Sequence, residues 1–139
     1  MKVFYLLATF MLFVGAPANA QDAHKQAVVF NCNCSNMASS LYATAFRDLI
    51  AESPRYRLIR AGSEETVVKP GRTMPWVINA VSIDSSAAKD GSDAAISVAF
   101  TVSDLLVDNA VQLCGKDAAK ECAEQTLATL DQDIHALVK

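Results

Sequence analysis

The sequence predicts an α+β single domain, a mixed four- to five-stranded sheet in the order β-α-β-β-β-β-α with both helices packed on one face. Three observations carry this expectation. Residues 26–60 read as strand, corner, helix and strand. Residues 94–103 alternate cleanly between apolar and small or polar side chains. Residues 119–138 place apolar residues at helical spacing. A helix needs one apolar stripe and a half-covered strand needs period-two alternation, so the two periods separate the element types.

Residues 1–20 are expected to be a signal peptide. Lys2 supplies a positive start, residues 3–14 are apolar, Gly15-Ala16-Pro17 breaks the run, and Ala18-Asn19-Ala20 fits an A-x-A cleavage site. The apolar run is too short to span a membrane. Gln21, not a cysteine, follows the cleavage point, so no lipid anchor is expected there. The mature chain, residues 21–139, is then a single domain of about 119 residues, periplasmic or secreted.

The first strand is the run Ala27-Val28-Val29-Phe30, and a polar corner, Asn31 to Asn36, follows it. From Met37 to Glu52 the apolar residues are Met37, Leu41, Tyr42, Ala45, Phe46, Leu49 and Ile50, one helix face, with Ser39, Ser40, Thr44, Arg47, Asp48 and Glu52 opposite. Ser35 is the expected N-cap, because its hydroxyl can accept from an unpaired first-turn amide. Pro54 ends the helix, since it lacks an N–H and disfavours helical geometry at Ser53. Tyr56 to Arg60 is a short strand, parallel to the first through the helical crossover.

Residues 61–75 read as a long loop with a Pro70-Gly71 turn. Trp76 stands at its exit, either as a buried anchor or as a partner-facing aromatic. Residues 76–84 form a strand with Trp76, Ile78 and Ala80 on one side and Val77, Val81 and Ile83 on the other. A polar connection follows, turning at Asp90-Gly91. In residues 94–103, Ile96, Val98, Phe100 and Val102 point to a core, and Ser97, Ala99, Thr101 and Ser103 point away. Such a strand implies a sheet covered on one side only. Residues 104–114 fit two patterns, a return strand through Val107, Asn109, Val111 and Leu113 or a helix through Leu106, Ala110, Leu113 and Cys114. The strand is preferred because 94–103 needs an antiparallel neighbour. The last helix carries its stripe on Ala119, Cys122, Ala123, Thr126, Leu127, Leu130, Ile134, Leu137 and Val138, with Asp117 as its cap.

Of 12 basic and 15 acidic residues, the signal segment carries only Lys2, so the mature chain keeps 11 against 15, net −4. A chain without a basic field is not expected to bind nucleic acid. Charge is uneven, however: Arg55, Arg57, Arg60, Lys69 and Arg72 cluster before residue 76. Arg57, Arg60, Arg72 and Trp76 are therefore the candidate partner-binding residues, facing an envelope or extracellular protein, possibly acidic. The other candidate surface is the bare sheet face around Ser97 and Thr101.

All four cysteines lie beyond the signal segment, and an even count in an exported chain suggests disulfides. A Cys114–Cys122 bridge would clamp the last helix to the sheet. Cys32 and Cys34 stand at alternate positions of an extended segment, so both sulfurs can face one spot. They are expected to be structural, in a local or a crossed disulfide, since the four cysteines allow three full pairings and the sequence does not choose among them. The alternatives are a redox pair or a Cu(I) site in which Met37, and His24 beside it, joins two thiolates. Asn33-Cys34-Ser35 also matches a glycosylation sequon. The chain has no G-x-S-x-G, H-E-x-x-H or phosphate-loop pattern. His135 with Asp131 reads as a surface helix pair. No enzyme is expected.

Taken with the element order, Ser53-Pro54-Arg55-Tyr56-Arg57-Leu58-Ile59 after the first helix resembles small bacterial periplasmic α/β domains. The N-terminal domain of the translocation protein TolB and the outer-membrane assembly and synthase-activating lipoproteins of similar fold are such domains. The resemblance implies a non-enzymatic adaptor that binds other envelope components. An exported inhibitor or immunity protein would share the same sequence features.

Overall fold

The computed structural model describes residues 24–67, 73–84 and 92–137. The expected signal segment, Lys69, Arg72, the expected turns at Pro70-Gly71 and Asp90-Gly91, and Val138 lie outside the described residues. The described chain forms a five-stranded mixed sheet in the order β2-β1-β3-β4-β5. Its strands are β1 (Gln26–Asn33), β2 (Tyr56–Ile59), β3 (Trp76–Asp84), β4 (Asp93–Val102) and β5 (Leu105–Gly115). Helix α1 (Met37–Glu52) joins β1 to β2, and α2 (Ala119–Leu137) follows β5. β1 is parallel to both β2 and β3, whereas β3, β4 and β5 are antiparallel. The ambiguous stretch after residue 104 is thus a strand, held by its pairing with β4.

One core lies between the helices and one face of the sheet. Val28 and Phe30 of β1, Ile78 and Ala80 of β3, and Ile96, Val98 and Phe100 of β4 meet Tyr42, Phe46 and Ile50 of α1 and Ala123 and Leu130 of α2 there. Burying each large side chain of this set is worth roughly 1.5–3 kcal/mol relative to exposure. Phe30 packs against Phe46 with ring centroids 4.7 Å apart. A second, small cluster of Ala27, Val29 and Ile59, with Val77 against it, lies on the opposite side of the sheet.

Helix α1 corrects the sequence expectation in two ways. Its N-cap is Asn36, not Ser35: Asn36 Oδ1 accepts from Ser39 N at 2.8 Å, and the Ser39 hydroxyl accepts from Asn36 N at 3.3 Å. This reciprocal box satisfies two otherwise orphaned donors. The buried face also differs from the expected stripe at the start of the helix, while Tyr42, Phe46 and Ile50 are buried as expected and Ala45 and Leu49 pack against the core. Ala38, Ser39, Tyr42, Ala43, Phe46 and Ile50 are buried, while Met37 (57% exposed) and Leu41 face outward. The pattern of large side chains pointed elsewhere because Ala38 and Ser39, the residues in the tightest place, carry little apolar signal.

Helix α2 buries Ala119, Cys122, Ala123, Thr126 and Leu130, and Leu127 and Ile134 pack against the core, as the stripe predicts, but Leu137 in its last turn is exposed, beyond the reach of the sheet. Asp117 is not its cap. It lies within a single 3-10 turn, Lys116–Ala118, that runs directly into the helix. No described helix is long and apolar enough to cross a membrane.

Candidate functional site

Three places could carry function: the corner holding Cys32 and Cys34, the basic stretch after α1, and the sheet face away from the helices.

The corner lies where β1 leaves the sheet for α1. Cys32 is in register with Ala80 of β3, and both Cys32 and Cys34 are half-buried against the edge of the core. Their Cα atoms are 5.3 Å apart and their sulfurs are paired. Ser82 of β3 fixes the backbone on either side of Cys34: its hydroxyl donates to the Asn33 carbonyl at 3.2 Å and accepts from Ser35 N at 3.2 Å. Nothing in the sequence near the cysteines pointed to Ser82, which arrives through the parallel pairing of β1 and β3. Met37 begins α1 two positions beyond Ser35 and is exposed. With the two sulfurs bonded to each other, the corner offers no thiolate for Cu(I) until it is reduced. Among the described residues, no group of three or more His, Cys, Asp or Glu side chains is placed to hold a metal ion.

Cys114 and Cys122 also pair, with Cα atoms 6.2 Å apart, and both are buried. They tie the end of β5 to the first turns of α2.

The basic stretch does not assemble as expected. Arg55 reaches Asp131 of α2 at 2.5 Å, and Arg57 forms an ion pair with Glu65. Arg60 is exposed just past β2. Trp76 is buried at the start of β3, where it is in register with Val28, so its indole is a core anchor and not a partner-facing aromatic. β1 lies between β2 and β3, and the Arg57 side of β2 is the side away from the main core. Arg57 and Trp76 therefore face opposite sides of the sheet.

Asp131 is equally committed. Its carboxylate accepts from Arg55 and from the Tyr56 hydroxyl, and its backbone carbonyl lies 2.6 Å from His135 Nδ1. The histidine thus meets the Asp131 main chain and not its carboxylate. A concavity of about 220 Å³ on the exposed side of the helices is lined by Ala45, Asp48, Leu49, Glu52 and Lys120, a set without a nucleophile–base pair.

The sheet face away from the helices is the most distinctive surface. Strand pairing sets Ile83, Ala95 and Leu113 in one row across β3, β4 and β5, and Val81, Ser97 and Val111 in the next. Leu113 is 82% exposed and Val111 73%, and Ile83 and Val81 are exposed beside them. The third row is polar: Asn31, Asn79, Ala99 and Asn109, with Asn31 Nδ2 donating to Asn79 Oδ1 at 2.9 Å. Neither apolar row contains a charged side chain.

No family model and no curated protein matches this chain. The site must therefore be argued from its own chemistry. The β5 register explains why this face was only half legible. Inward positions of β5 hold Asp108, Ala110 and Gln112, while outward ones hold Val111 and Leu113, the reverse of a water-facing edge strand. A register irregularity opposite Phe100 and Thr101 sets Val107 outside the regular pairing, so that Asp108 pairs with Phe100 and Leu106 with Thr101. Gln112 is accommodated inside because its Nε2 donates to Thr126 Oγ1 at 3.0 Å and to the Cys122 carbonyl at 3.2 Å.

Proposed function

We propose that this chain is an exported, non-enzymatic binding protein of the cell envelope. Its contact surface is the helix-free face of β3, β4 and β5, and its partner is a protein that lays an aliphatic segment on that face. The observation that carries this reading is the pair of adjoining apolar rows, Ile83–Ala95–Leu113 and Val81–Ser97–Val111, bordered by the Asn31–Asn79–Asn109 row. Contiguous exposed apolar side chains with a polar border are the composition of a protein interface core and rim. The absence of charge within the rows favours an apolar contact over the acidic partner suggested by the arginines, two of which already hold carboxylates of this chain. The signal-like residues 1–20, the two cysteine pairs and the resemblance to periplasmic adaptor domains support export and an adaptor role.

The test places a photo-crosslinking residue at Leu113 in cells and identifies what it captures. The same partner must then bind the purified protein. Val111→Glu with Leu113→Glu is expected to reduce that binding at least tenfold, whereas Arg57→Glu with Arg60→Glu and Arg72→Glu leaves it within about twofold. Loss with the arginine variant alone would move the surface to the basic stretch and overturn this assignment.

A further inference from the structure

The two cysteine pairs differ in burial and in the length of chain that they close. Cys114 and Cys122 are buried, and their bond spans two elements. Cys32 and Cys34 are two residues apart and only half-buried, at the end of β1. Closing so short a segment removes little chain entropy, so the Cys32–Cys34 bond contributes little to holding the fold. The corner is also held without the sulfurs. Ser82 binds the main chain on both sides of Cys34, and the Asn36–Ser39 box fixes the start of α1. Opening the bond therefore leaves the backbone in place.

The two cysteines are not equivalent in position. Cys34 lies two residues before the Asn36 cap of the 16-residue helix α1, whose first turn carries no acidic side chain. Cys34 is thus the cysteine nearer the start of α1, and Cys32 is held within β1.

We infer that Cys32–Cys34 is a thiol–disulfide exchange site whose co-reactant is a dithiol. A thiolate of the dithiol attacks Cys32 Sγ; the Cys32–Cys34 bond breaks and Cys34 leaves as a thiolate. The second thiol of the co-reactant, once deprotonated, attacks the mixed disulfide at its own sulfur, closes the co-reactant's disulfide and releases Cys32. Cys32 and Cys34 take up two protons, and two electrons pass from the dithiol to the protein. The reverse sequence oxidises a dithiol. This site is independent of the sheet-face contact proposed above.

The experiment is a redox titration of the full exported chain in buffers of reduced and oxidised dithiothreitol. The reaction is quenched with acid, free thiols are alkylated, and each cysteine is assigned by peptide mass. Cys32 and Cys34 should label together at a reduced-to-oxidised ratio at least tenfold lower than Cys114 and Cys122 require, with the far-ultraviolet circular dichroism unchanged. Labelling of both pairs in one step, or of Cys32 and Cys34 only under denaturing conditions, would overturn the proposal. The direction of attack has its own test. The Cys32→Ser chain, which keeps Cys34, should react with iodoacetamide at lower pH than the Cys34→Ser chain. The opposite order would overturn the assignment of Cys34 as the leaving thiolate.

Discussion

The Tyr42 hydroxyl of α1 and Thr126 Oγ1 of α2 lie 3.0 Å apart in the buried seam between the two helices. Thr126 spends its proton on the Cys122 carbonyl at 3.1 Å, so Tyr42 is the donor in this pair, and Gln112 of β5 donates to the same oxygen. Both helices and the edge strand thus converge on one side-chain oxygen. A buried donor left unpaired costs more than a hydrogen bond removed whole.

Removing either partner therefore has unequal effects. Tyr42→Phe should cost about 0.5–1.5 kcal/mol, the net worth of one bond. Thr126→Val should cost more, about 1–3 kcal/mol, because it strands the Tyr42 hydroxyl and leaves Gln112 only the Cys122 carbonyl. The double variant should fall short of the sum. Urea unfolding of the four chains checks this, and strict additivity would show that the two hydroxyls are not coupled.

Burial also fixes the response to alkali. It pushes the Tyr42 hydroxyl from its ordinary value of 10.0 up to about 12. Burial raises Tyr56 as well, and the Asp131 carboxylate that accepts its proton adds to that rise. The unfolded chain then loses these protons first, so fewer protons are bound unfolded than folded, and stability falls as pH rises from about 10 towards 12. Below about pH 10 neither tyrosine contributes any slope. Tyr42→Phe should flatten the decline, measured as the urea midpoint at several alkaline pH values; an unchanged slope would show that Tyr42 titrates alike in both states.

Asp133 of α2 gives an acidic counterpart. Its Oδ2 is buried without a hydrogen-bond partner, and its carboxyl is held above the ordinary carboxylate range, first by burial and then by the charge of Asp108 on β5. The folded state binds this proton more tightly than the unfolded state, so the group destabilises once it ionises, and the penalty fades as pH falls through its folded pKa. Asp133→Asn should raise Tm at about pH 7 and give little gain at about pH 3. A gain of equal size at both would point to packing and not charge.

Much of this fold was legible, and the parts that were not share a cause. The alternation of Ile96, Val98 and Phe100 located a half-covered strand correctly because each inward side chain is large. The face of α1 was legible at Tyr42, Phe46 and Ile50 but not in its first turns, where the small Ala38 and Ser39 are buried and the large Met37 and Leu41 are exposed. β5 stayed ambiguous because its inward Gln112 is satisfied by α2, a contact with no local trace in sequence. Of the candidate site residues, the four cysteines were legible as disulfide formers, but their partners were fixed only by the fold, which sets Cys32 beside Cys34 and Cys114 beside Cys122. The scatter of Arg57, Arg60 and Trp76 followed from strand order, since β2 and β3, neighbours in sequence, flank β1 in space.

The β4–β5 connection was hidden for a related reason. Val102 pairs with Leu105, which leaves a two-residue turn of Ser103 and Asp104, both at positive φ, 50° and 64°. Tight hairpins need this left-handed geometry, and the usual signal is Asn-Gly. Asp104→Gly should gain up to about 1 kcal/mol by relieving the left-handed backbone. Ser103→Val should lose about 1–2 kcal/mol, since a β-branched residue fits that region poorly. Thermal unfolding decides it, and a destabilised Asp104→Gly chain would contradict the strained-turn account.

The two disulfides should separate in stability as they do in exposure. On the chain-entropy model a bond closing the segment from Cys114 to Cys122 is worth roughly 2–3 kcal/mol, and both sulfurs are buried in the main core. Cys114→Ala with Cys122→Ala should lose at least that much, because small cavities add to the lost cross-link. Cys32→Ser with Cys34→Ser removes a bond that closes a far shorter segment, in a corner still held by Ser82 and the Asn36–Ser39 box. Its cost should stay below about 1.5 kcal/mol. Denaturant unfolding of both double variants measures the difference directly. If the Cys32 and Cys34 replacements proved the more damaging, the sulfurs and not Ser82 would be what fixes the start of α1.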